Sequence, residues 1–223
     1  MDFSFLGEYY KMFLEGTSVT VSISLASLFF GFIIGIFICL LKISKHKVFR
    51  IIASVYIEVL RGTPLFVQIY IIYFGLPQIG IEFPSIFNIP SEFIAGVFSL
   101  SINSGAYVAE IFRSGIQSID KGQTEASRSL GLGYWATMTY VIIPQAIKNV
   151  LPALANEFIT LVKESAIISV IGVIDIMFIS SRVKNVIYRP LEPLIVAALI
   201  YFILTFTLSK LVGILEKKMA ASN

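Results

Sequence analysis

Five long apolar segments constrain this chain more than any other feature. A helix needs about 20 apolar residues to cross the roughly 30 Å hydrocarbon core of a bilayer, and each segment meets that length. The sequence therefore predicts an all-α membrane protein with about five transmembrane helices in one domain, residues 1–223. The predicted segments are residues 19–41, 48–76, 93–112, 153–174 and 193–215.

The composition also indicates the membrane class. Of the 223 residues, 57% are hydrophobic and 14% are charged, whereas soluble domains contain about 25% charged residues. The single cysteine, Cys39, excludes a disulfide within the chain, and a net charge of +3 is too small to indicate a nucleic-acid partner. The sequence has no G-x-x-x-x-G-K-[ST] motif and no metal-ligand spacing, so we expect no cofactor in this chain. His46 is the only histidine, which argues against an intramembrane enzyme.

The distribution of charge predicts the orientation, because Lys and Arg concentrate in cytoplasmic loops. The N-terminal region is acidic and the loop after the first segment is basic. We therefore expect the N-terminus outside and, after five crossings, the C-terminus inside. Residues 175–192, outside by this count, nevertheless contain three cations; they indicate either a short amphipathic piece on the outer face or a miscounted crossing. The cations that support the orientation are Lys42, Lys45, Lys47, Arg50, Lys210, Lys217 and Lys218.

A polar stretch at about residues 117–143 predicts a cytoplasmic elbow of two short helices. Asp120 is a suitable N-cap, with Gln123 placed to complete a capping box. The first helix is expected to run to Leu130, with Gly131 in the left-handed conformation that commonly ends a helix. A second helix, from about residue 134 to 141, is expected to end at Pro144.

The first helix of the elbow is predicted to dock another protein. Its residues include Thr124, Glu125 and Arg128, with little apolar surface before Leu130. An amphipathic helix lying in the membrane interface is the alternative, but such helices have Lys and Arg opposite a broad apolar face. The composition favours docking.

The second apolar segment contains an ion pair and a proline. Glu58 and Arg61 are one turn apart and are expected to neutralise each other. Pro64 lacks the N–H that would bond the carbonyl of Leu60, so the helix is expected to kink or break there. The group is either a gate, whose freed carbonyls line a path, or a self-satisfied pair at a bend.

Two further segments carry polar residues on shared helix faces, and ionisable groups within a span are candidates for function. The third segment places Asn103, Tyr107 and Glu110 at i, i+4 and i+7, and we expect Glu110 to be structural. The fourth places Glu157 and Glu164 on one face. Carboxylates there suit the ammonium of a zwitterion, and Lys163 beside them suits its carboxylate; polar contacts between helices are the alternative. Asn156 and Thr160 share the strip of Lys163.

The elbow resembles the EAA motif of ABC importer permeases, which is Glu-Ala-Ala, three residues, Gly, nine residues, then Ile-x-Leu-Pro. Ser127 replaces the second alanine and Val141 the first isoleucine. Other stretches resemble the permeases for polar amino acids such as histidine, arginine and glutamine. The motif positions are Glu125, Ala126, Gly131, Val141, Ile143 and Pro144, and the other matching stretches are residues 61–65 with Gln68, 103–107, 144–146 and 156–158.

The resemblance implies a type I ABC importer fold in the cytoplasmic (inner) membrane of a prokaryote. It implies a second permease subunit, identical or different, and ATPase subunits that bind ATP and Mg. It also implies an extracytoplasmic or lipid-anchored amino-acid-binding protein. The elbow is then the coupling helix, with contacts to the ATPase from Thr124, Glu125, Ala126, Arg128, Gly131 and Pro144. The predicted substrate contacts are Asn103, Tyr107, Glu157, Lys163, Glu164 and Gln68.

A transporter or channel driven by an ion gradient is the alternative function. Five spans are few for such a protein, and no inverted repeat is apparent in the sequence. The identity of the amino acid stays open, because a carboxylate that binds an α-ammonium looks the same as one that binds a cationic side chain.

Overall fold

The computed structural model describes residues 1–220, and these residues form an all-helical protein apart from one β-bridge between Ile86 and Ile89. Two π-helical turns, Ile71–Gly75 and Met138–Ile142, and a 3-10 stretch, Ser165–Ile171, connect helices. The α-helices are α1 (Leu6–Ile43), α2 (Lys47–Gly62), α3 (Leu65–Tyr70), α4 (Leu76–Gln78), α5 (Ser91–Gln117), α6 (Lys121–Ser129), α7 (Tyr134–Thr137), α8 (Ile143–Glu164), α9 (Ile176–Ile187) and α10 (Glu192–Ala220). The side chain of Lys218, used above for orientation, lies outside the described part.

Between three and five of these elements can cross a membrane. α1, α5 and α10 are each long and apolar enough to do so alone. Two helix pairs qualify only when each bent pair is counted as one span: α2 with Leu65–Gln78, bent by 107°, and Tyr134–Ile171 with α9, bent by 50°. The predicted five crossings correspond to counting both bent pairs.

α1 and α5 form a parallel pair at the centre of the fold. A methyl group added at Gly31 would lie 3.1 Å from Ser104, and one at Gly35 would overlap Val108. Small residues four apart let two helices approach closely within a membrane. Because later residues of α1 meet later residues of α5, the two helices start at the same end of the protein and finish at the other.

α9 packs lengthwise against the first turns of α1, in an apolar cluster that includes Phe13 and Val183. Asp175 caps α9 by accepting a hydrogen bond from the Phe178 N–H at 2.8 Å. Beyond α9, Arg189 Nη1 donates to Asp2 Oδ2 at 2.7 Å, and this hydrogen bond holds the pKa of the Asp2 carboxyl below its usual range. The end of the basic segment 175–192 and the N-terminus therefore lie at the same end of the protein.

The predicted helix boundaries at two prolines are wrong, and α1 begins at Leu6, well before the predicted start at residue 19. Pro144 stands at the start of α8, directly after the π-helical turn Met138–Ile142, and the helical run from Tyr134 to Ile171 continues through it. Pro152 lies inside α8, so the fourth helix begins at Ile143 and not after Pro152. The hydropathy of the sequence identified only the apolar part of α8, because the first turns of this helix carry polar side chains such as Gln145 and Asn149.

Candidate functional site

A helix break at Pro64 organises the polar centre of the protein. α2 ends at Gly62 and α3 begins at Leu65, as the missing N–H of Pro64 predicts. The Leu60 carbonyl, which Pro64 cannot bond, accepts a hydrogen bond from Gln68 Nε2 at 2.8 Å. Asn103 Nδ2 of α5 donates to Gln68 Oε1 at 2.9 Å. The Leu60 carbonyl is therefore satisfied by a side chain.

The Arg61 side chain extends from the last turn of α2 and contacts α5. Its guanidinium lies over the Tyr107 ring, 5.2 Å from the centroid, and 4.0 Å from Glu110 Oε2. Glu110 is also bound by Arg113, at 2.6 Å. The predicted pairing of Arg61 with Glu58 is therefore wrong, because a carboxylate on the neighbouring helix takes that place. The structural role expected for Glu110 agrees with these contacts.

Glu157 is the buried carboxylate of this region. It is 8% exposed and accepts a hydrogen bond from Ser104 Oγ at 2.7 Å. Arg61, Tyr107, Glu110 and Glu157 line one cavity of about 300 Å³, together with Ile111 and Ser114. A cation, two carboxylates and a phenol ring thus converge on a small space between α2, α5 and α8.

The other predicted substrate contacts occupy different positions. Gln68 and Asn103 are buried at the helix break, where they bond each other. Glu164 is half-buried two turns after Glu157, and Lys163 is exposed. That Arg61 lines the cavity was not predicted from the sequence. The available signal was an arginine within an apolar segment, but its spacing from Glu58 indicated a local partner instead.

The elbow begins at the predicted cap. Asp120 Oδ1 accepts a hydrogen bond from the Gly122 N–H at 2.7 Å. The Gln123 amide oxygen lies 3.4 Å from Gln145 Nε2, so its predicted capping-box contact is wrong. α6 ends at Ser129, one residue before the predicted end, and Gly131 has a φ of +85°, the left-handed conformation expected.

α6 follows α5 in the chain and lies at the end of the protein where α5 finishes. Almost all of its residues are exposed. Ser127 is its buried residue and donates to the Gln123 carbonyl at 2.6 Å. Leu130 is 85% exposed and Trp135 is 79% exposed. The exposure of these two apolar side chains after α6 was not predicted from the sequence. All the predicted coupling residues are exposed: Thr124, Glu125, Ala126, Arg128, Gly131 and Pro144.

Comparison with known families decides what class of protein carries this elbow and this cavity. Residues 18–221 match the family described as binding-protein-dependent transport system inner membrane component. The chain belongs to this family. It is therefore a multi-pass inner-membrane permease component, and not itself an enzyme, since ATP hydrolysis in such ABC systems belongs to a separate subunit. A system of this kind includes ATPase and binding-protein partners.

Individual relatives cover almost the whole chain. The arginine transport system permease protein ArtQ of Bacillus subtilis is 44% identical over 224 residues, covering 100% of this chain and 99% of its own length. A putative glutamine transport system permease protein GlnP of Rickettsia bellii is 44% identical over 209 residues, 93% of each chain.

Solved structures share the fold. One described as an amino acid ABC transporter with histidines matches with a TM-score of 0.91 and 50% identity, covering 98% of this chain and 99% of its own. An inward-facing structure of the MetNI methionine ABC transporter matches with a TM-score of 0.71 and 21% identity, covering 93% of this chain and 98% of its own. The second likeness shows the fold alone.

Proposed function

We propose that this chain is the permease subunit that passes a polar amino acid across the cytoplasmic membrane of a prokaryote, driven by ATPase subunits. Its N-terminus lies outside and its C-terminus inside. It pairs with a second permease subunit and receives substrate from an extracytoplasmic or lipid-anchored binding protein. The names of the relatives, which include arginine and glutamine permeases, support the substrate class.

The cavity between α2, α5 and α8 carries this proposal. Its volume of about 300 Å³ lies at the lower end of the roughly 300–1,000 Å³ of small-molecule sites. An α-amino acid has a carboxylate and an ammonium on one carbon. Arg61 supplies a guanidinium for the carboxylate, and the buried Glu157 supplies a carboxylate for the ammonium. By contrast, a cleft of about 460 Å³ next to Phe32 and Leu151 is lined by apolar side chains and Cys39.

The remaining candidates for contact with substrate lie outside this cavity. Gln68 and Asn103 lie at the helix break, and Glu164 and Lys163 follow two turns beyond Glu157. They are candidates for contact before or after the substrate occupies the cavity.

Substitution of Glu157 tests the site. Glu157→Gln keeps the size and removes the charge, so a lost ammonium contact would cost about 1.5–3 kcal/mol, or tenfold or more in apparent affinity. Uptake of amino acids into proteoliposomes that contain the whole transporter is the measurement. Basal ATP hydrolysis should stay near the wild-type rate, and Glu15→Gln, which removes the charge of an exposed carboxylate on α1 outside the cavity, is the control. Equal uptake kinetics for Glu157→Gln and the wild-type protein would assign Glu157 to contacts between helices.

Charge reversal on α6 tests the coupling. Glu125→Lys places a cation where a docked carboxylate is proposed, and repulsion across an interface costs several kcal/mol. We expect the ATPase subunits to co-purify poorly with this variant. Glu8→Lys reverses an exposed carboxylate in the first turn of α1, at the opposite end of the protein from α6, and should leave co-purification unchanged. Normal complex yield and normal uptake for Glu125→Lys would refute the docking assignment.

A further inference from the structure

The loop that precedes α5 holds an exposed phenylalanine in a strained turn. Ile86 and Ile89 exchange two backbone hydrogen bonds, of 3.2 and 2.8 Å, across the two residues between them. Those residues, Phe87 and Asn88, have φ angles of +50° and +65°. This is the geometry of a type I′ turn, which favours Asn-Gly, and a bulky residue with positive φ is an outlier. The Phe87 side chain is nevertheless 95% exposed.

The turn at residues 86–89 is held firmly at its base. Ser85 Oγ donates to the Ile89 carbonyl at 2.9 Å. Pro84 and Pro90 flank the turn and restrict φ on both sides. Phe83 anchors the loop by packing against the apolar core beside α5. Strained residues persist only where their surroundings determine the conformation, and they cluster at binding sites. The backbone that carries the Phe87 ring is therefore held in a fixed position.

The turn lies at the end of the protein opposite α6. α1 and α5 run parallel, and the turn directly precedes α5 while α6 follows it. The N-terminus and Arg189 also lie at the end where α1 begins. Since the family depends on a binding protein, a folded, water-soluble partner must reach one face of this protein. When α6 contacts the ATPase, that end of the protein is occupied. The opposite end, which carries the turn, is then the one that the binding protein can reach.

We propose that the turn at residues 86–89 is a docking element that inserts the Phe87 ring into an apolar recess on the extracytoplasmic binding protein. The proposal rests on the proposed function in one respect, which is that α6 faces the cytoplasm. A bilayer is the competing partner for an exposed phenylalanine. Fluid hydrocarbon requires no ordered loop, however, whereas a folded partner gains affinity from a loop whose backbone is already ordered before binding.

The test measures how much binding protein is needed to stimulate ATP hydrolysis by the complete transporter in detergent. Phe87→Asn removes the ring but keeps a residue that tolerates the left-handed conformation. Phe87→Tyr keeps the ring. Ile79→Ala is the matched control, because Ile79 is 72% exposed in the same loop but outside the turn. We expect Phe87→Asn to raise the half-saturating concentration of binding protein tenfold or more, with basal hydrolysis unchanged. Phe87→Tyr and Ile79→Ala should resemble the wild-type protein.

Equal half-saturation for Phe87→Asn and the wild-type protein would overturn the proposal. If that variant instead loses thermal stability in lipid nanodiscs while its half-saturation is unchanged, the ring contacts the membrane and the proposal is equally wrong. Failure of the proposed function looks different. In that case the binding protein stimulates hydrolysis normally, yet no amino acid accumulates in proteoliposomes that contain the wild-type transporter.

Discussion

Replacing Gln68 tests whether one side-chain amide holds the break at Pro64. The amide nitrogen of Gln68 lies 2.8 Å from the Leu60 carbonyl oxygen, 3.0 Å from the Thr63 carbonyl oxygen and 2.9 Å from Thr63 Oγ1. Its oxygen accepts from Asn103 at 2.9 Å. Gln68→Met preserves the length of the side chain and removes all four contacts.

The expected loss follows from these contacts. A side-chain hydrogen bond between membrane helices is worth about 0.6 kcal/mol. The amide nitrogen carries two hydrogens that its three acceptors share, so the network counts as about three hydrogen bonds and contributes about 2 kcal/mol. Leaving a buried polar group without a partner costs about 1–3 kcal/mol, and both the Leu60 carbonyl and the Asn103 amide are affected. The long contact of 3.4 Å between these two groups relieves part of that cost. We therefore expect Gln68→Met to lower the free energy of unfolding by about 2–5 kcal/mol.

Thermal unfolding of the purified protein in detergent, followed by circular dichroism, measures the loss. For a chain of this size each kcal/mol lowers Tm by about 2–4 °C, which predicts a decrease of roughly 5–15 °C. Thr63→Val is the control, because it removes one exposed hydroxyl and should cost less than about 1 kcal/mol. A Tm for Gln68→Met no lower than that of Thr63→Val would mean that apolar packing, and not the amide, maintains the break.

Two glycine substitutions test close packing and turn geometry separately. Gly35→Ala would force a methyl group into Val108 and should lower the free energy of unfolding by about 1–3 kcal/mol; Gly7→Ala, which meets open space, should cause no loss of Tm. Gly131→Val should strain the turn after α6 by about 1–2 kcal/mol and weaken ATPase stimulation by the binding protein. Gly133→Val is its control, because Gly133 also faces open space but has an ordinary φ of −68°. Equal stimulation for these last two variants would contradict a role for the left-handed turn.

Local rules predicted features whose cause lies within a few residues. The break at Pro64 follows from a missing N–H, the start of α6 from the Asp120 carboxylate, and the turn at Gly131 from the absence of a side chain. None of these depends on a distant part of the chain. For this reason the first helix of the elbow could be placed almost to the residue from sequence, whereas the end predicted for its second helix at Pro144 was wrong.

Partners on other helices could not be predicted in the same way. Arg61 had a plausible neighbour three residues away at Glu58, but the fold brings Glu110 and the Tyr107 ring to it instead. The Ser104 partner of Glu157 is 53 residues distant in sequence. Periodicity shows which residues share a helix face, but it does not show which face of another helix they meet.

α5 connects the three features to which we assign a function. It is a continuous helix of 27 residues, about 40 Å long at 1.5 Å per residue. The turn that presents Phe87 directly precedes it, and α6 follows its last residue after a short link. Between these ends it supplies Asn103 to the helix break, and Tyr107 and Glu110 to the cavity. We expect a tilt of α5 to move the turn at residues 86–89, one wall of the cavity and α6 together, because the helix is continuous between them. One helix thus joins the turn at residues 86–89, the polar centre and the elbow.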